Sequence, residues 1–224
     1  MTLHKAILAT YLGVLVYAGV AFVGAGTLRY WQGWLYLVLA VVGLTISHAL
    51  MPRGSDLTVR RARDMGLGQP WDKRLLRVLF IVTLLMLLVA GMDSGRFHWS
   101  GPLPGWLAVA GAALMVAGQI LFALAKRQNA FFSSTVQIQT ERGHRVCDTG
   151  LYSLVRHPGY LGLLVSLSAF PWVMGSSWSF IPAATAAALL VLRTVLEDRF
   201  LQSALVGYRD YAAKTRYKIV PGIF

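Results

Sequence analysis

Residues 6–26 read AILATYLGVLVYAGVAFVGAG and contain no charged side chain. Three further stretches lack formal charge: Tyr30–Met51, Gly105–Ala125 and Pro158–Leu192. Each reaches the roughly 20 residues that a helix needs to cross a bilayer, and the last is long enough for a hairpin of two segments. A shorter apolar run, Leu75–Met92, contains one Arg near its end, where a long side chain can reach the interface. These runs predict an all-α polytopic membrane protein with about six transmembrane segments.

The overall composition agrees with this class. Of the 224 residues, 56% are hydrophobic and 13% are charged, which is unlike a soluble domain. The first apolar run is longer than the core of a signal peptide, so no cleavable signal is expected. A single cysteine, Cys147, excludes an internal disulfide and a cysteine-rich metal site.

The positions of the basic residues predict an orientation. If the N-terminus is cytoplasmic, every Lys and Arg except Arg29 and Arg96 falls on the inner side. This asymmetry matches the positive-inside rule, so both termini are expected in the cytoplasm, and the membrane is the inner (plasma) membrane if the source is bacterial. The loop Pro52–Arg74 is expected to be solvated, with part of it, Leu57–Met65, as a candidate interfacial helix. The net charge of +12 then reflects loops that face anionic lipid, and nucleic-acid binding is not expected.

Polar chemistry concentrates where the last apolar stretch begins. Residues 150–162 read GLYSLVRHPGYLG and include RHPGY at 156–160. Pro158 lacks an N–H group and disfavours helical backbone at His157, so a helix is predicted to begin directly after this polar group. Its free N–H groups would face a ligand. The alternative is an interfacial helix start that is anchored in the headgroups by Arg156, His157 and Tyr160.

A second polar group lies on the last apolar segment. This segment is predicted to continue past the membrane surface, and Arg193 and Glu197 are four residues apart, so they would share a face and pair. The predicted topology brings this end of the segment, the 126–158 stretch and the C-terminal tail to one membrane face. The expected organisation is an N-terminal unit of four spans, 1–125, and a C-terminal catalytic region at the cytoplasmic face, 126–224.

The C-terminal half resembles the isoprenylcysteine carboxyl methyltransferase family and its bacterial relatives, which are integral membrane enzymes that use S-adenosylmethionine. The matching residues are, in order, NAFFS at 129–133, VQIQ at 136–139, RGH at 142–144, GLY at 150–152, RHPGY at 156–160 with Gly162, Arg193 with Glu197 and Asp198, Gly207 with Tyr208, Tyr211, Arg216 and Pro221. The acidic pair is Glu-Asp here, whereas the family has Glu-Glu. The N-terminal half carries no marker of the eukaryotic prenyl-protein enzyme, so the chain is more similar to the bacterial branch.

The resemblance implies S-adenosylmethionine as cofactor, no metal, and a lipophilic or prenylated acceptor. It implies cofactor contacts from Gln137, Gly143, His144, Tyr152, His157, Tyr160 and Glu197. It implies substrate contacts from Asn129, Arg156, Tyr208, Tyr211 and Arg216. Arg193 and Glu197 would be catalytic, with Glu197 holding a polar part of the cofactor or the acceptor, and Arg193 pairing with it or holding an acceptor carboxylate. Tyr208 and Tyr211 could instead anchor the tail at the interface.

Two other functions stay open at this point. Membrane sterol reductases have a broadly similar helical C-terminal architecture by resemblance, and such an enzyme would bind NADPH. A non-catalytic membrane protein would use the same polar face for packing or for a partner. No glycine-rich dinucleotide motif follows a strand, which excludes a soluble methyltransferase domain of the nucleotide-binding type.

Overall fold

The structure is a computed structural model that describes residues 3–51 and 67–224, with side chains from residue 7 onward. These residues form six longer helices: α1 (Leu3–Ala25), α2 (Trp31–Ala49), α3 (Pro70–Ala90), α4 (Gly105–Gln128), α5 (Pro158–Met174) and α6 (Phe180–Ala204). The shorter elements are a π-helix (Gly91–Phe97), two 3-10 helices (Thr140–Arg142 and Gly150–Ser153) and α7 (Tyr208–Lys214). The described residues contain no strand.

The helix lengths confirm an all-α polytopic membrane architecture. Among the described residues, five helical stretches are long and apolar enough to span a bilayer, and α5 is a shorter apolar helix of 17 residues. The predicted hairpin turn is also present, because Gly175 ends α5 in a left-handed conformation and α6 begins at Phe180. Of the predicted loop Pro52–Arg74, residues 52–66 lie outside the described part of the chain, and the candidate interfacial helix falls there.

The third segment begins earlier and ends later than the sequence predicted. Pro70 occupies the first turn of α3, where a residue without an N–H group is tolerated, so Asp72 is helical and not in a solvated loop. At the other end the helix continues as a π-helix (Gly91–Phe97), beyond Met92, where the apolar run ends. The fully buried Asp93 carboxylate accepts hydrogen bonds from Ser100 N (2.8 Å), Ser176 Oγ (2.6 Å) and Trp178 N (3.2 Å). These bonds attach the α5–α6 turn to the end of the π-helix.

Close contact between α4 and α5 positions the RHPGY sequence. A Cβ atom on Gly118 would lie 2.5 Å from the carbonyl oxygen of Gly162, and one on Gly162 would lie 2.6 Å from that of Gly118. Small residues in membrane helices permit this backbone approach. Because successive helices run in opposite directions, the beginning of α5 and the ends of α4 and α6 lie at the same membrane face.

Buried side chains form two clusters. The larger one contains residues from each of the six helices α1–α6, with Leu87, Phe170 and Val173 among its fully buried members. The smaller one consists of Leu205, Tyr208 and Tyr211 and lies where the chain leaves α6. The residues of the smaller cluster also line a cavity of about 410 Å³.

Candidate active site

A cavity of about 410 Å³ lies at the membrane face where α5 begins. It is lined by α4, α5, α6, α7 and the connection between α4 and α5, and α1 and α2 add a wall. Its lining includes these residues that the sequence singled out: Asn129, Gln137, His144, Tyr152, Arg156, His157, Tyr160, Arg193, Glu197, Tyr208 and Tyr211. Gly143 and Arg216 are not part of the lining. The volume falls within the range of cavities that bind small molecules.

The RHPGY sequence adopts the local structure that proline predicts. Pro158 is the first residue of α5, and His157 precedes it with non-helical backbone, at φ −128° and ψ 62°. The N–H group of Arg156 donates to the carbonyl of Tyr217 (2.9 Å), and that of His157 donates to Lys218 (2.8 Å). The C-terminal tail therefore holds the backbone at the beginning of the helix.

Arg156 connects this helix start to the tail and to α6. Its Nη1 donates to the carbonyls of Ala212, Thr215 and Arg216 at 3.0–3.2 Å. Nη2 donates to Asp198 Oδ2 (3.0 Å), and Nε lies 2.8 Å from Asp198 Oδ1. The Arg156 side chain is 6% exposed. Its donors are directed at other protein groups. Arg156, for which a substrate contact was predicted, therefore acts in the structure as a clamp: it binds the C-terminal tail to α6 and to the start of α5.

The phenol of Tyr208 shares the buried carboxylate of Asp198. Tyr208 Oη donates to Asp198 Oδ1 (3.1 Å) and lies 3.4 Å from His157 Nε2. Burial and the adjacent carboxylate raise the pKa of Tyr208 well above its ordinary value, so the phenol stays protonated. Tyr211 Oη donates to the carbonyl of Tyr152 (2.6 Å). Tyr208 and Tyr211 are buried, which places both rings against the cavity and disfavours a role as headgroup anchors.

Arg193 has a different partner from the one that the sequence predicted. Its guanidinium binds Asp72 through two bonds, Nε to Oδ1 at 2.6 Å and Nη2 to Oδ2 at 3.1 Å. Nη2 also donates to the carbonyl of Ser134 (3.0 Å). The predicted Arg193–Glu197 pair is therefore wrong, because the guanidinium binds the Asp72 carboxylate of α3.

Glu197 instead binds the phenol of RHPGY. Tyr160 Oη donates a hydrogen bond to Glu197 Oε2. The guanidinium carbon of Arg193 lies 5.4 Å from the centre of the Tyr160 ring, and the ring of His157 stacks on that of Tyr160 at a centroid distance of 5.6 Å. An imidazole, a phenol and a half-buried carboxylate are thus presented together to the cavity.

The connection between α4 and α5 is held by its own polar side chains. Gly143 has a φ of +62°, a conformation that favours glycine, and it turns the chain so that His144 stacks on Phe131 (4.6 Å between centroids). His144 Nδ1 accepts the N–H of Gln139 (3.2 Å). Burial and the charge of Arg142 lower the pKa of His144, in agreement with a neutral ring that accepts this bond.

Several residues of the cavity wall carried no signal in the sequence. They are Thr10 in α1, Leu44 and His48 in α2, and Phe122 and Lys126 in α4. Their only common pattern is a position near the same membrane face, which does not show which helices are neighbours. For Asp72, the helix-start pattern of Pro70 was a usable signal, since it extends α3 to include the carboxylate. Among the described residues, no group of three or more His, Cys, Asp or Glu is placed to hold a metal ion.

Comparison with known proteins connects this site to a family. The model of the isoprenylcysteine carboxyl methyltransferase (ICMT) family matches residues 110–203. Probable protein-S-isoprenylcysteine O-methyltransferases of Oryza sativa subsp. indica and subsp. japonica are each 30% identical over 113 residues, which are 46% of this chain and 56% of the relative. The cobalt-zinc-cadmium resistance protein CzcN of Cupriavidus metallidurans is 28% identical over 170 residues, 72% of each chain. The chain thus spans about half the length of the rice relatives that it matches. Residues 110–203 of this chain are thus similar to the isoprenylcysteine carboxyl methyltransferase family.

Proposed function

We propose that this protein is an integral membrane methyltransferase that transfers a methyl group from S-adenosylmethionine to a lipophilic acceptor. The observation that carries the proposal is the composition of the cavity wall. The polar residues of the family-matched region and apolar residues of the membrane helices line one continuous space. A polar cofactor and a lipophilic acceptor can meet only in such a space.

The residues present suit this cofactor. The faces of His157 and Tyr160 and the carboxylate of Glu197 would attract a sulfonium cation, and His144 with Gln137 would line the same pocket. Gly143 would contribute by shaping the turn that positions His144. When bound, the cofactor supplies a methyl group that is already activated. The protein then has to align the nucleophile with that group and to exclude water.

The acceptor would enter between the membrane helices. A carboxylate acceptor is already a nucleophile, whereas a thiol or an amine would have to lose a proton first. The Nη1 donors of Arg193 have no hydrogen-bond partner among the described residues, so they are available to orient an acceptor carboxylate. Asn129, Tyr208 and Tyr211 would contact the acceptor or close the cavity from the water side. Arg156 and Arg216 would act through the tail.

We further propose that the cavity faces the cytoplasm of a bacterial cell, with both termini on that side. The distribution of Lys and Arg supports this orientation. In that orientation S-adenosylmethionine would come from the cytosol, where it is made, and the acceptor would come from the bilayer.

Calorimetric titration of the detergent-purified protein with S-adenosylmethionine and, separately, with NADPH tests the proposal. We expect binding of S-adenosylmethionine that is lost in His157→Asn and retained in the matched control His98→Asn. His98 is exposed and has a φ of +53°, a conformation that Asn accommodates. Binding of NADPH alone would refute the methyltransferase and favour a reductase. Binding of neither ligand would favour a non-catalytic protein.

A further inference from the structure

Asp72 is a fully buried carboxylate that lies outside the region matched by the family model. It is the third residue of α3, and it does not itself line the cavity. Its two oxygens nevertheless bind two parts of the cavity wall. Oδ1 and Oδ2 bind the guanidinium of Arg193 at 2.6 and 3.1 Å, and Oδ2 accepts the N–H of Val136 at 2.8 Å.

The competing partner for Arg193 is Glu197. The two residues are one helical turn apart on α6, which is the spacing at which an Arg and a Glu pair on a helix. In the structure Glu197 accepts a hydrogen bond from Tyr160, and the guanidinium is directed at Asp72. Asp72 therefore keeps Arg193 away from the carboxylate that faces the cavity.

We propose that Asp72 is a positioning residue of the methyltransferase site: it binds Arg193, so that Glu197 remains available to Tyr160 and to the cofactor. The inference rests on the proposed function. The inference also means that residues 110–203 do not form the site alone, because α3 supplies the Asp72 carboxylate that positions Arg193.

The same carboxylate orders the connection between α4 and α5. Beside the bond from Val136 to Asp72, the N–H of Gln69 donates to the carbonyl of Val136 (3.0 Å). A Cβ atom on Gly68 would collide with the Thr135 side chain, so the start of α3 lies directly against this connection. Removing the Asp72 charge should thus loosen residues 134–137 and release Arg193 at the same time.

Binding of S-adenosylmethionine, measured by calorimetry on the full-length protein, tests the role of the charge. In Asp72→Asn we expect the guanidinium to turn to Glu197 and affinity to fall about tenfold to a hundredfold, the scale of one hydrogen bond to a charged group. In the double variant Asp72→Asn/Arg193→Gln there is no guanidinium to capture Glu197, and both buried charges are removed together, which proteins tolerate better than removing one. We expect its affinity to return to within about threefold of the wild type. A double variant that binds as weakly as Asp72→Asn, or an Asp72→Asn variant that binds like the wild type, would overturn the proposal.

Hydrogen exchange gives a readout that does not depend on the cofactor. Asp72→Asn should speed amide exchange at residues 134–137 about tenfold, whereas the control Asp93→Asn, a buried carboxylate at the other end of the helix, should leave it unchanged. If the wild type bound no S-adenosylmethionine, the proposed function would fall, and the role of Asp72 in positioning that site would fall with it. If the wild type bound it and both readouts were insensitive to Asp72→Asn, only the positioning role would fall.

Discussion

Replacing Arg156 by Met distinguishes between two roles of this residue, as a clamp that holds the C-terminal tail and as a contact to the substrate. The change deletes the bonds to Ala212, Thr215 and Arg216 and leaves the 1%-exposed Asp198 side chain without its guanidinium. Breaking a buried ion pair on one side costs about 3–5 kcal/mol. For a chain of this length that corresponds to a fall in melting temperature of roughly 6–20 °C.

The assay is thermal unfolding in detergent combined with limited trypsin digestion of the tail. We expect Arg156→Met to melt in that lower range and to be cleaved quickly at the basic residues of 209–218, because its tail has lost three anchoring bonds. Arg199→Met is the matched control, since Arg199 is an exposed arginine on the same helix as Asp198. The double variant Arg156→Met/Asp198→Asn should regain part of the lost stability, because it no longer buries an unpaired charge.

A contrary result would be equally clear. Arg156→Met could instead have the same melting temperature and the same resistance to trypsin as Arg199→Met, but lose methyl transfer to an S-farnesylated cysteine. That result would refute the clamp and support the substrate contact.

Three other properties follow from the structure. Burial and the charge of Arg142 lower the pKa of His144, so the neutral ring stabilises the fold fully above pH 6.5, and this stability is lost as the pH falls through the lower, folded-state pKa. The difference in unfolding stability between pH 7.5 and pH 5.0 should therefore be smaller in His144→Gln than in the wild type. Gly162→Ala should destabilise the protein by about 1–3 kcal/mol, because its Cβ meets backbone atoms of α4, whereas Gly13→Ala, with nothing within 4 Å, should be neutral in the same thermal melt. Asp93→Asn should lower stability by about 1–3 kcal/mol, because an amide nitrogen would face hydrogen-bond donors, while titration should show unchanged binding of S-adenosylmethionine.

Each of these properties has a result that contradicts it. An equal acid sensitivity of His144→Gln and the wild type would remove the histidine from the pH response. Equal melting of the two alanine variants would show that α4 and α5 can separate without cost. A loss of cofactor binding in Asp93→Asn would show that the end of the bundle opposite the cavity, where Asp93 lies, influences the cavity.

The local sequence was sufficient for the membrane segments and for the beginning of α5. Uncharged runs long enough to cross a bilayer can bury their backbone polar groups only as helices, so composition alone identifies them. The position of Pro158 defines the helix start in the same local way, through its missing N–H and its effect on His157. The order of short motifs from Asn129 to Pro221 likewise indicated a resemblance to the isoprenylcysteine carboxyl methyltransferase family, and the model of that family matches residues 110–203.

The partners of the buried charges were decided only by the tertiary structure. Helical spacing suggested Glu197 for Arg193, but Arg193 binds a carboxylate 121 positions away in sequence. Asp198, the second residue of the Glu-Asp pair, is the buried partner of Arg156. Periodicity identifies which residues share a face of one helix, whereas an ion pair between helices depends on which helices are neighbours and at what depth each begins. Here α3 packs against α6, and α5 packs against both α4 and α6, so each buried guanidinium binds the carboxylate that this packing brings within reach.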